Sequence, residues 1–204
     1  MGAFQQVMPY ETIMPERTFF YKPKQKNYKD LGEDIGAIIQ EAKSIVEVNQ
    51  SFGISAGFMG FYYDNPNWMA EGNPRSDIGF YMYNPSLALI QTMVEKNYGV
   101  MKFPPTRVIQ VHLPWKNMLS IFLVIFKAYG PLVEKMLEPE YASFFEHDSN
   151  PFIEHCLGNW YYVSCPIEKN TNIYRLTTYP SPKINEEGEK WIADHRAPKM
   201  VTPN

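Results

Sequence analysis

Phe61-Tyr62-Tyr63 is an aromatic run that stops at Asp64-Asn65-Pro66, and a second aromatic run resumes over Ile78 to Tyr83. Proline cannot donate to a strand ladder, and Asp and Asn readily close turns with their side chains. The chain must therefore leave one strand, cross the polar Pro66–Asp77 loop and return as a second strand. This is the local signature of a sheet with a buried face. It makes an all-helical fold untenable.

The periodicity elsewhere supplies the helices. Leu31, Ile35, Ile38, Ile39, Ala42, Ile45 and Val46 recur at helical spacing, and Asp30 and Glu33 sit at the start, so a helix is predicted over 30–47. A second is predicted from Ser86 to Asn97, with Leu87, Ile90, Val94 and Met93 inward. A third opens after Pro114 near 115–129, with another turn or two through Leu137. Strands are predicted at Thr18–Tyr21, Gly53–Tyr63, Ile78–Tyr83 and Arg107–Leu113. Ile153–Leu157 and Trp160–Ile167 read as a hairpin about Gly158-Asn159. The order is a β-α-β-β unit twice, apart from the linking helix. The fold class is α+β, one domain over 18–176, flanked by proline-bearing extended arms at 1–17 and 177–204.

Composition narrows the function classes. A length of 204 residues suits one sizeable core. A net charge of −3 lacks the basic excess of a nucleic-acid binder; Lys22, Lys24, Lys26 and Lys29 read as a solvated strand edge. Cys156 and Cys165 are too few for a disulfide framework or zinc site and read as reduced thiols of an intracellular protein. Mitochondrial or organelle-membrane association is left open. The longest apolar stretch, Met118–Phe126, would rise about 14 Å as a helix, less than half a bilayer core. No transmembrane span and no secretory leader are expected.

Three blocks carry a resemblance. They are Tyr62-Tyr63-Asp64-Asn65-Pro66 with Asp77-Ile78-Gly79, Pro114-Trp115 with Leu119-Ser120-Ile121, and Pro151-Phe152-Ile153-Glu154 with Cys165-Pro166-Ile167. In this order the chain resembles the GyrI-like (SHS2-type, effector-binding) domain family, and within it the eukaryotic branch that includes an ER-phagy receptor. The resemblance covers about residues 18–176. It implies two pseudo-symmetric β-α-β-β modules sharing an antiparallel sheet, with helices on one face and a groove on the other. It also implies a pocket floored by a late-strand glutamate, matched here by Glu154, and walled by aromatics.

A carboxylate among aromatic rings attracts cationic ligands, and desolvation raises its pKa toward that of a general base. Tyr62, Tyr81, Trp160 and Tyr162 are the wall candidates, although alternation lets only about half of each run face one side. His112, His147, His155 and His195 lack metal spacing, and His155 must point away from Glu154. No metal, cofactor or nucleophile–base pair is expected.

Two function classes follow. One is a non-catalytic accessory subunit of a larger assembly, engaged through the arms and the nearly all-apolar 115–129 helix. The other is a sensor or hydrolase that uses Glu154 on an aromatic or cationic small molecule. A receptor-like adaptor is a third reading, weakened by the lack of a membrane anchor and of a long acidic tail.

Overall fold

A computed structural model describes residues 7–115, 127–144, 151–168, 171–174 and 176–195. The chain is α+β. Among the described residues ten strands run β1 Tyr10–Met14, β2 Arg17–Gln25, β3 Ala56–Tyr62, β4 Met69–Glu71, β5 Arg75–Met82, β6 Gly99–Phe103, β7 Thr106–Pro114, β8 Phe152–Leu157, β9 Trp160–Pro166 and β10 Lys183–Ile184. The helices are α1 Gly32–Lys43, α2 Val46–Ser51, α3 Leu87–Glu95, α4 Tyr129–Met136 and α5 Glu186–His195.

Eight strands form one antiparallel sheet in the order β1-β7-β9-β8-β3-β5-β2-β6. The order is a palindrome about the β8–β3 seam, as two pseudo-symmetric modules require. Each module also lends a strand to the other: β1 precedes β2 in sequence but pairs with β7, and β6 precedes β7 but pairs with β2.

This exchange dictates the sheet's shape. Only Pro15 and Glu16 join β1 to β2, a reach of roughly 11 Å. In a flat sheet the six intervening strand spacings would separate them by roughly 29 Å. The sheet must therefore curl until its edges approach. The inner core confirms it, since Met14, Phe19, Phe103, Val108, Phe61 and Ile153 from both halves share one cluster.

Helices cover the outer face as two separate cores. Phe20, Ile38, Ala42, Ile78, Phe80, Leu89 and Met93 bury α1 and α3 against the first module. Ile109, Val111, Leu132, Met136, Tyr161 and Val163 bury α4 against the second.

The predicted helix over 30–47 breaks in two. The Ser44 hydroxyl donates to the Glu41 carbonyl at 2.6 Å, and Ile45 is extended, so the chain turns before α2. In α3 the inward side chains are Leu89 and Met93, with Ile90 packed beside them as expected, while Leu87 and Val94 are exposed. Ser86 caps that helix by accepting from the Leu89 amide at 3.1 Å.

The segment 1–17, expected as an arm, contributes β1 to the sheet edge. Within 177–204, β10 pairs with β4, and α5 stacks Trp191 on Trp68 at 4.8 Å. Of the lysines read as a strand edge, Lys22 and Lys24 lie on β2 beyond its last β6 pair at Tyr21, Lys26 follows the strand, and Lys29 lies in the 28–30 turn; Lys22 pairs with Glu41 of α1, and Lys24 and Lys26 with Asp34. The apolar helix expected at 115–129 falls mostly on 116–126, outside the described residues, as does His147. No described helix is long and apolar enough to cross a membrane.

Candidate functional site

Glu154 sits at the seam of the two modules. It lies on β8 opposite Gly60 of β3 and Val163 of β9, on the helix-bearing face rather than in the concave groove that the resemblance implies. It is buried. Tyr129, the first residue of α4, donates its hydroxyl to one carboxylate oxygen, and Tyr161 of β9 donates to the other. Tyr62 of β3 is a third phenol close enough to the same carboxylate to favour its charge.

The electrostatics follow from this packing. Burial pushes the Glu154 pKa up; the three neighbouring phenols pull it back without cancelling the rise. Tyr62, Tyr129 and Tyr161 are themselves held well above the usual phenol range, by burial first and then by the Glu154 charge.

A second ring of aromatics supports the first. Trp115 stacks on Tyr161 at 5.4 Å, Phe152 meets Tyr129 edge-on at 5.1 Å, and Tyr28 meets Tyr62 edge-on at 5.0 Å. Gly60 leaves the space beside the carboxylate: a Cβ there would stand 3.0 Å from the Tyr62 ring and 3.2 Å from Phe58.

The Asp64-Asn65-Pro66 segment braces this site without touching Glu154. Asp64 clasps Arg75 through both carboxylate oxygens, at 2.8 Å and 3.0 Å, and also accepts from the Arg75 amide at 2.7 Å. Tyr28 accepts from the Asp64 amide at 3.1 Å and donates to the Arg75 carbonyl at 2.8 Å. Asn65 caps the short 66–68 turn through the Asn67 amide. The turn thus fixes Tyr28, and Tyr28 fixes Tyr62.

The five residues singled out from sequence fall on two faces. Glu154 and Tyr62 come together. Tyr81, Trp160 and Tyr162 lie on the concave face, with His155 and His112. Tyr129, Tyr161, Tyr28 and Trp115 were missed. Tyr161 was within reach of a parity count, since the Leu157↔Trp160 closure places Tyr161 across from Cys156, two residues from Glu154. Tyr129 had no such signal, because a helix brings it in from another part of the chain.

The arrangement suits binding better than covalent chemistry. Burial pushes the Cys156 thiol up to about 12, beside a carboxylate that disfavours its thiolate further. His155 faces away from the site, and among the described residues no group of three or more side chains could hold a metal ion. What remains is a buried, phenol-tethered carboxyl in an aromatic cage.

No protein-family profile and no curated protein matches this sequence. Solved structures show a distant likeness. The EcmrR C-terminal domain is 14% identical with a TM-score of 0.47, covering 81% of this chain and 99% of that one. A Staphylococcus aureus MU50 transcription regulation protein is 10% identical with a TM-score of 0.44, covering 78% and 97%. SAV2435 bound to tetraphenylphosphonium is 12% identical with a TM-score of 0.38, covering 79% and 94%.

Proposed function

We infer that the chain is a small-molecule-binding domain of the effector-binding type, which takes lipophilic organic cations at the module seam with Glu154 as the counter-charge. The observation that carries this reading is the burial of Glu154 among Tyr62, Tyr129 and Tyr161. A desolvated carboxylate gains far more from a cation than an exposed one does, and aromatic faces add cation–π attraction. A cation without hydrogen-bond donors needs only charge and rings, which are what the site offers. Phenols that now satisfy the carboxylate would yield or share it on binding, with Tyr129 able to move with the first turn of α4.

The hydrolase reading, in which Glu154 would act, gains no support from Cys156, whose thiol burial pushes up to about 12. The accessory-subunit reading draws on the arms and the apolar 115–129 helix; the described parts of both arms pack on the domain through β1 and α5, and 116–126 lies outside the described residues.

The test is calorimetric titration of tetraphenylphosphonium, chosen as a donor-free lipophilic cation, into the wild type and Glu154→Gln. Loss of a desolvated charge partner predicts at least about tenfold weaker binding in the variant. Equal affinity, with the fold intact by circular dichroism, rules Glu154 out as the counter-charge.

A further inference from the structure

The concave side of the sheet holds a buried cation that the described residues do not neutralise. Arg17 opens β2 at 2% exposure. Its Nε donates to the Pro15 carbonyl at 3.2 Å, while its Nη1 has no hydrogen-bond partner. The groups that its charge reaches are phenols, Tyr83, Tyr81 and Tyr174, rather than carboxylates. The guanidinium lies 4.8 Å over the Tyr81 ring and 5.9 Å from Tyr83. Cation–π contacts recover only part of what a buried, unpaired charge forfeits in leaving water.

A second orphaned group lies beside the same ring. His155 meets Tyr81 edge-on at 5.8 Å and stacks on Tyr162 at 4.6 Å. It is 5% exposed and its Nδ1 has no partner. Burial, then the nearby Arg17 charge, keeps the imidazole neutral, so with the proton on Nδ1 it presents an N–H donor. The register places His112, Tyr162 and His155 in one row across β7, β9 and β8. The row reaches solvent: Tyr83 and Tyr162 are half-buried, and Trp160, which meets His112 edge-on at 5.0 Å, is 44% exposed.

Buried donors in native proteins are almost always satisfied, and two on one face, flanking one ring, call for a shared acceptor. The mouth of a curled sheet is a common ligand position. Flat phenol faces beside the donors favour a flat apolar body over a bare ion. We propose that this concave mouth is a second site, for an aromatic carboxylate, with Arg17 Nη1 and His155 Nδ1–H donating to the oxyanion and Tyr81, Tyr83 and Tyr162 flanking the ring. It is independent of the Glu154 cage, which lies on the opposite face and has the opposite charge preference.

The test uses benzoate and inorganic phosphate as probes, by calorimetry and by the His155 ring-nitrogen signals in NMR. Benzoate should bind the wild type, shift His155 Nδ1, and bind Arg17→Met at least about tenfold more weakly, as loss of a charged donor requires. Exposed Lys183→Ala serves as the control for non-specific charge and should bind as the wild type does. Unliganded Arg17→Met should be no less stable than the wild type, because an apolar chain replaces an unpaired charge. No benzoate binding by the wild type, or equal binding by Arg17→Met, overturns the site. Phosphate binding as tightly as benzoate overturns the aromatic part. Should Arg17→Met fail to fold, an unmoved His155 signal in the wild type is the overturning result.

Discussion

Asp77 offers a perturbation whose size can be worked from the structure. It lies on β5, buried on the inner face. Tyr63 donates to its Oδ2 at 2.5 Å, while its Oδ1 has no hydrogen-bond partner. Burial pushes its pKa up to about 6 from the ordinary 3.8, against the opposing pull of Tyr63 and Arg75.

A folded-state pKa above the unfolded one means that the folded protein holds the proton more tightly. The associated stability is therefore complete below the unfolded pKa and is lost as pH rises toward about 6. The gap between 3.8 and about 6, at about 1.4 kcal/mol per pH unit, comes to about 3 kcal/mol. Asp77→Asn cannot ionise and escapes that loss. The amide also brings a new donor to the site, so its absolute stability is not the diagnostic quantity; the pH dependence is. Urea unfolding followed by tryptophan fluorescence, from about pH 4 to about pH 7.5, should show the difference between variant and wild type moving in the variant's favour by about 2 kcal/mol, the rest of the loss lying below pH 4. A constant difference, or one moving toward the wild type, refutes the reasoning. Tyr63→Phe should enlarge the wild-type loss, since the phenol favours the ionised carboxylate.

Other consequences follow from the same packing. Gly60→Ala places a methyl against the Tyr62 and Phe58 rings and should cost about 1–3 kcal/mol in urea unfolding while weakening cation binding. Asp64→Ala leaves the buried Arg75 guanidinium without its clasp and should cost about 3–5 kcal/mol, with faster proteolysis of the 64–75 loop. Cys156 and Cys165, both pushed up to about 12, should resist alkylation by iodoacetamide at about pH 8 in the folded protein and react only after unfolding.

Much of the scaffold was legible in the sequence because it follows from period and punctuation. Phe61–Tyr63 ending at Asp-Asn-Pro, and Gly158-Asn159 between two alternating runs, each state a local fact about the backbone. The exchange of β1 and β6 between modules was not legible, because the ladders that hold them are non-local: Tyr10 pairs with Gln110, and Phe103 with Arg17.

The candidate site divides along the same line. Glu154 and Tyr62 could be named from sequence, and alternation correctly turned His155 away. Tyr81, Trp160 and Tyr162 share residue type with the cage but not its strand parity, and parity sends them to the other face. Tyr129 joins the cage only through tertiary packing of α4. Its role could not have been read from its neighbours in the chain.

The central claim is that a cation at the module seam meets an ionised Glu154 that burial otherwise inclines to hold its proton. Binding should then expel that proton. Calorimetric titration of tetraphenylphosphonium in buffers of different ionisation enthalpy, repeated from about pH 4 to about pH 8, measures the protons released. The account predicts a release that approaches one proton per bound cation at some pH within this range for the wild type, and none for Glu154→Gln. Cation binding without proton release at any pH, or the same release in both proteins, would contradict it.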